Sequence, residues 1–170
     1  MAFHPRMTST GFDLTDGTRC SVREAVASDL QSIVALLLDD PLGVTRERAD
    51  DMDRYRAAFE DISSDPRNLQ VVAVHGDEVV ATLQLTVIPG LARGGALRAQ
   101  IEAVRVDARW RSRGLGGALI RWAIAEAERR GCALVQLTSD ATRTDAHRFY
   151  TRLGFVDSHV GYKMALGTTG

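Results

Sequence analysis

Two hydrophobic periods alternate along the chain. Leu30, Ile33, Val34 and Leu37 follow helical spacing, and Ser28 offers a side-chain oxygen to cap a helix over 29–38, which Pro41 and Gly43 end. A second helical stretch over 45–59 sets Met52, Tyr55, Ala58 and Phe59 on one side. The β-branched runs 69–74 and 79–88 flank the short turn His75-Gly76-Asp77-Glu78, which predicts an antiparallel hairpin. Further strands are predicted over 19–24, 99–107 and 133–139. A helix over 115–130 is closed by Gly131, and a short helix runs from Thr144 or Asp145 to Arg152, where Gly154 stops it. Residues 155–166 read as a final pair of strands turning near Gly161, and 89–98 as a glycine-containing loop. Residues 1–17 keep no sustained period and read as a flexible leader to a single domain over 18–170. The order β-α-α-β-β-β-α-β-α-β-β predicts a mixed α/β fold with helices on the faces of one sheet.

Composition narrows the function classes. At 170 residues, 45% apolar and 25% charged, the chain has the size and core of one globular domain, which argues against disorder. A net charge of −1 lacks the basic excess that nucleic acid or an anionic membrane normally requires. Cys20 and Cys132 lie far apart, with no C-x-x-C and no His pair at metal spacing, so reduced structural thiols and no metal are expected. The longest apolar run, 33–38, falls far short of the roughly 20 residues of a spanning helix, and the N-terminus has no signal-peptide core. A cytoplasmic location is the expectation. Lys163 is the one lysine, an arginine bias that reads as genome composition.

The most informative segment is Val104-Arg105-Val106-Asp107-Ala108-Arg109-Trp110-Arg111-Ser112-Arg113-Gly114-Leu115-Gly116-Gly117. A strand enters a glycine-rich turn that opens a helix, so unpaired N–H groups and the positive end of the helix dipole converge on an anion. Gly114, Gly116 and Gly117 allow close backbone approach, and Arg109, Arg111 and Arg113 are expected to add charge. A Walker loop would need G-x-x-x-x-G-K-S/T, and neither the Lys nor the Ser/Thr is present. A dinucleotide fingerprint would follow the first strand, whereas this turn follows the fourth.

Arg111-x-x-Gly114-x-Gly116 after a Val-x-Val strand, with Phe149-Tyr150-x-x-x-Gly154-Phe155 beyond it, resembles the GCN5-related N-acetyltransferases, the GNAT family. The resemblance implies a GNAT-like fold of about seven strands and about four helices. It also implies acetyl-CoA as co-substrate, its pantetheine arm along the backbone of Val104, Arg105 and Val106. Its phosphates would lie on the backbone of Arg111, Ser112, Arg113, Gly114, Leu115, Gly116 and Gly117. Where many relatives carry an asparagine that contacts the coenzyme, this chain has Arg143, which can still reach a phosphate or the pantetheine. Pairing through last strands or sheet edges is common in small members, so a homodimer is expected.

Acetyl transfer to an amine needs a base, a polarised carbonyl and a proton for the departing thiolate. Glu102 interrupts an apolar strand, and period 2 sets it on the face of Val104 and Val106, where partial desolvation would raise its pKa toward that of a base. It matches the fourth-strand glutamate that is the base in some relatives; the other reading is a strand glutamate paired with Arg105. By resemblance Tyr150 contacts the coenzyme within reach of its sulfur and gives the thiolate its proton; the other reading is a half-buried aromatic. A backbone N–H near Val104 would hold the oxyanion. His147, one helical turn before Tyr150, either tunes the site or is a satisfied surface residue.

Charge is segregated: 39–65 holds nine acidic residues and four arginines, a local −5, while 105–113 carries +3. Lining the acceptor cleft, the acidic helix would attract a cationic amine; otherwise it is a solvated face with pairs such as Asp50–Arg54. The expected activity is acetyl transfer to the primary amine of a small, cationic molecule by direct attack in a ternary complex. The alternatives are a protein lysine or N-terminal acceptor, or a non-catalytic acyl-CoA-binding module.

Overall fold

The computed structural model describes residues 9–39 and 51–166. Their contacts form two compact units, one ending at Leu137 and the other beginning at Thr138. The first unit is built on six strands in the order β1 (Thr10–Asp13), β2 (Arg19–Glu24), β3 (Asn68–His75), β4 (Glu78–Ile88), β5 (Leu97–Val106) and β6 (Cys132–Leu137). All neighbours are antiparallel except β5 and β6, which are parallel and joined through helix α4 (Leu115–Arg129).

Strand alternation decides what covers each face. Val72 and Val74 of β3 meet Ile33 and Leu37 of α1 (Leu30–Leu38) and Phe59 of α2 (Met52–Ser64). The alternate residues Leu69 and Val71, with Leu83 and Leu85 opposite or beside them, build the other face. Helix α4, packed along β4, β5 and β6, buries Leu115, Leu119, Ile120 and Ala123, and full burial of a leucine or isoleucine side chain contributes about 2 kcal/mol. Gly131 ends α4 with φ +77°, the conformation that favours glycine.

Helix α1 is anchored by charge instead of by Ser28. A single turn of 3-10 helix over Ala27–Asp29 precedes it, and the buried Asp29 accepts from the Val26 N–H at 2.8 Å. Arg23 donates to both Asp29 oxygens at 2.6 and 2.9 Å. Burial pushes the Asp29 carboxyl up, but these hydrogen bonds outweigh it and hold the group below its usual range.

Several boundaries differ from the sequence reading. Residues 10–13, expected within the leader, are β1, paired with β2 from Thr10↔Val22 to Asp13↔Arg19. Helix α2 extends to Ser64, and its expected start at 45 lies outside the described residues. The expected loop at 89–98 contains a single kinked turn, α3 (Ala92–Gly95). In the second unit α5 (Thr144–Arg152) forms as expected, but the two strands expected over 155–166 do not. That stretch is irregular, with Val160, Tyr162, Met164 and Leu166 exposed, and the described residues of the unit contain no strand for it to pair with; a two-stranded ribbon alone is marginal. The described sheet thus has six strands where about seven were expected. Among the described residues no helix is long and apolar enough to cross a membrane.

Candidate active site

Strand β5 changes partners halfway along. It pairs with β4 from Arg98 to Val106, but with β6 only from Leu97 to Ile101. From Glu102 to Val106 its second edge has no strand beside it among the described residues. Two carbonyls in this stretch accept from guanidinium groups: Arg105 donates to Val104 at 2.9 Å and Arg111 to Val106 at 3.0 Å. Each carbonyl oxygen has a second lone pair for another donor.

The open stretch contains a bulge. Gln84 lies opposite Glu102, and Thr82 lies opposite Arg105, so two residues of β5, Ala103 and Val104, face Leu83 alone. Ala103 takes φ +52° to make this possible. The bulge corrects the period-2 reading: Glu102 shares a face with Arg105, while Val106, opposite Ala81, points to the other. The expected desolvation of Glu102 is also absent, since its side chain is exposed and makes no ion pair among the described residues.

Beyond β5, Asp107 accepts from the Arg109 N–H at 2.8 Å and starts a 3-10 turn, Ala108–Trp110, that buries Trp110. The chain then passes through Ser112, φ +61°, and Gly114, φ +86°, into α4. Leu115, Gly116 and Gly117 open the helix without a side-chain cap, and their N–H groups have no acceptor among the described residues. An anion lying on them would meet the positive end of a 15-residue helix dipole.

The three arginines of the turn brace it instead of standing free around an anion. Arg109 donates to Asp107 at 2.7 Å and to Glu78 at 2.5 Å, Arg111 to Asp39 at 2.8 Å, and Arg113 to Asp16 at 2.7 Å and Thr18 at 2.9 Å. Arg113 also stacks on Trp110, 4.4 Å from the ring centroid. Hydrogen bonds from Thr18 and Arg113 hold Asp16 at about 2, and Arg109 holds Asp107 below its usual range. The +3 of this segment is therefore matched locally.

Beside the bulge lies a pocket of about 130 Å³. Helix α1 contributes Ile33, Val34 and Leu37, helix α2 contributes Tyr55, Phe59 and Ile62, and the sheet closes it with Gln70, Gln84 and Ala103. The acidic residues of α2 do not reach it: Asp53, Glu60 and Asp61 are exposed, and Asp53 and Asp51 pair with Arg56 and Arg54. The solvated-face reading of this helix holds for the described part; Asp40, Glu47 and Asp50 lie outside it.

Past the pocket the same sheet face carries polar residues in register, which the sequence reading missed. Asn68, Thr86, Gln100 and Gln136 follow one another across four strands, and Gln70, Gln84 and Glu102 across three. Thr86 donates to Asn68 at 2.7 Å and Gln136 to Gln100 at 2.8 Å. The signal was visible as Asn68-x-Gln70, Gln84-x-Thr86 and Gln100-x-Glu102, polar residues at period 2 inside apolar strands.

In the second unit Tyr150 is half-buried on α5, with its ring centroid 5.1 Å from that of Phe149 and 5.9 Å from that of Phe155. The Tyr150 carbonyl accepts from Leu153 and Phe155 around Gly154, φ +93°, which closes the helix. Arg143 precedes α5, and its carbonyl accepts from the His147 N–H at 3.1 Å. The His147 ring bonds the Asp140 carbonyl at 2.9 Å, the satisfied surface role. Cys20 is buried and Cys132 half-buried, both free, and burial pushes both thiols up.

Comparisons with known proteins agree with this geometry. The family described as acetyltransferase (GNAT) matches residues 30–155. An aminoalkylphosphonate N-acetyltransferase of Salmonella typhimurium is 29% identical over 147 residues, 86% of this chain and 92% of that protein. A transcriptional regulator from Bacillus halodurans C-125 is 45% identical with a TM-score of 0.84, covering 86% of this chain and 99% of its own. Glucosamine-6-phosphate N-acetyltransferase from Arabidopsis thaliana shares the fold at 20% identity, with a TM-score of 0.74, over 87% of this chain and 99% of its own.

Proposed function

The chain belongs to the GNAT acetyltransferase family and is an N-acetyltransferase, and from that premise we propose that it transfers the acetyl group of acetyl-CoA to the primary amine of a small molecule that arrives as a cation. The observation that carries this reading is the edge of β5 from Glu102 to Val106, open on one side and leading directly into the unengaged N–H groups of Leu115 to Gly117. The edge suits the amides of a pantetheine arm beside Val104, Arg105 and Val106. The N–H groups from Ser112 to Gly117 suit the pyrophosphate, while the Arg111 N–H donates to the Ala108 carbonyl and the side chains of Arg111 and Arg113 fix the shape of the turn.

In the proposed reaction both substrates are bound together. The amine, relieved of its proton by Glu102, attacks the thioester carbonyl while a backbone N–H near Val104 stabilises the oxyanion. A C–N bond forms, the C–S bond breaks, and Tyr150 protonates the departing thiolate. Exposure leaves Glu102 accessible to an amine or to a relaying water. Arg143 takes the position of the relatives' asparagine and is proposed to contact the coenzyme. Similarity to an aminoalkylphosphonate N-acetyltransferase supports a small-molecule acceptor. Free Cys20 and Cys132 support a reducing, cytoplasmic setting, and the exposed Tyr162, Met164 and Leu166 support a homodimer formed through this end of the chain.

The test is thiol release from acetyl-CoA over a panel of amines and peptides, with Glu102→Gln and Tyr150→Phe alongside the wild type. Turnover of small amines that both variants lose is expected. Tight coenzyme binding with no turnover on any acceptor would replace this reading with an acyl-CoA-binding module.

A further inference from the structure

The pocket beside the bulge has a chemistry of its own. Its walls from α1 and α2 are aliphatic and aromatic, and none of the described residues lining it is charged. Its floor is directional: the Gln70 amide nitrogen donates to Thr82 at 2.7 Å and to the Leu83 carbonyl at 3.2 Å, which engages both its protons and leaves its oxygen as an acceptor. The Gln84 nitrogen is turned toward Asn68 and Thr86, each at 3.4 Å, so its oxygen is likewise an acceptor. Glu102 lies opposite Gln84 in the strand register, and Ala103, the next residue, is part of the pocket wall.

These features sort acceptors. Amide oxygens beside a carboxylate receive N–H donors, so they suit an ammonium and give no purchase to a phosphonate, a phosphate or a second carboxylate. The aliphatic and aromatic walls favour an uncharged substituent, and a second ammonium placed among them would give up much of its hydration. In size, the volume of about 130 Å³ compares with the cavity of about 150 Å³, lined by aliphatic and aromatic residues, that takes up benzene. Resting on the acetyltransferase reading, we infer that the acceptor is a monoamine bearing one compact apolar substituent, a branched alkyl or aryl group seated between α1 and α2. The aminoalkylphosphonate specificity of the Salmonella relative does not extend to this chain.

The experiment compares kcat/KM for 2-phenylethylamine and 3-methylbutylamine with that for 2-aminoethylphosphonate and putrescine, at saturating acetyl-CoA. It is repeated with Ala58→Phe, which fills the pocket from an exposed position on its rim. The apolar amines are expected to lead by at least tenfold, since each buried methylene is worth about fourfold. Ala58→Phe is expected to remove that lead while the protein remains folded by its melting transition and still binds coenzyme A. Preference for the phosphonate or the diamine overturns the inference and leaves the acetyltransferase reading intact. A lead that survives Ala58→Phe overturns the seating in this pocket. Coenzyme binding without turnover of any amine overturns both.

Discussion

The hydroxyl of Thr15 donates to the carbonyl of Arg113 at 3.0 Å, across 98 residues of sequence, and the Cγ2 of the same threonine lies 3.1 Å from where a side chain at Gly114 would begin. The turn between β1 and β2 is thus packed against the glycine turn and sets the direction of its N–H groups.

Gly114→Ala is therefore expected to fail twice, through φ +86° and through contact with Thr15. A non-glycine residue there costs about 1–2 kcal/mol of stability, and coenzyme A affinity should fall by more than tenfold. Thr15→Val, which keeps the shape and loses one hydrogen bond of about 1 kcal/mol, should weaken coenzyme binding about fivefold. Calorimetric titration and thermal melting check both; unchanged affinity in a folded Gly114→Ala protein would falsify the placement of the pyrophosphate.

Glu102→Gln should lower kcat by roughly 10²–10⁴ and leave the affinity for coenzyme A within twofold, because a base acts on the amine and not on the donor. Tyr150→Phe should lower kcat with the same indifference in binding. Rates from stopped-flow thiol detection, set beside titration with coenzyme A, separate the two effects. A parallel loss of binding would assign these residues to the fold.

Asp29→Asn should destabilise the first unit by roughly 3 kcal/mol, since it leaves a charged Arg23 side chain without its buried partner. Chemical denaturation gives the figure. A change below 0.5 kcal/mol would mean that the start of α1 is held by packing alone.

Asp16 sets a pH dependence. Its folded pKa of about 2 lies below the ordinary 3.8, so it contributes stability that is full above 3.8 and lost as pH falls through 2. The difference in melting temperature between wild type and Asp16→Asn should therefore be constant at neutral pH and narrow between pH 4 and pH 2. A difference that stays constant down to pH 2 would show that the Asp16–Arg113 pair is not formed in solution.

What could be read from the sequence was whatever a short window contains. The hairpin 68–88, the strand-turn-helix from 97 to 129 and the closure of α5 by Gly154 follow from local periods and glycines. The partners of the turn arginines could not be read in this way, because Glu78, Asp39 and Asp16 lie 31, 72 and 97 residues from them. Nor could the bulge, since an alanine at positive φ leaves no signature where a glycine would have. The polar residues of β3, β4 and β5 were each visible, but only the strand register turns them into one surface. β1 is four residues long with a single phenylalanine, too short for any period to show.

The one extra residue at Ala103 has a consequence for how this chain can change over time. Under the proposed function strand β5 would serve two molecules: the portion before the bulge would present Glu102 toward an acceptor, and the portion after it leads to the proposed coenzyme turn. Deleting position 103 would leave Val104 alone opposite Leu83 in ordinary alternation, so Glu102 and Arg105 would keep their shared face while the bend and added twist of the bulge were lost. The side chains of the two halves can thus vary independently, while the direction in which β5 bends between them depends on that one extra residue.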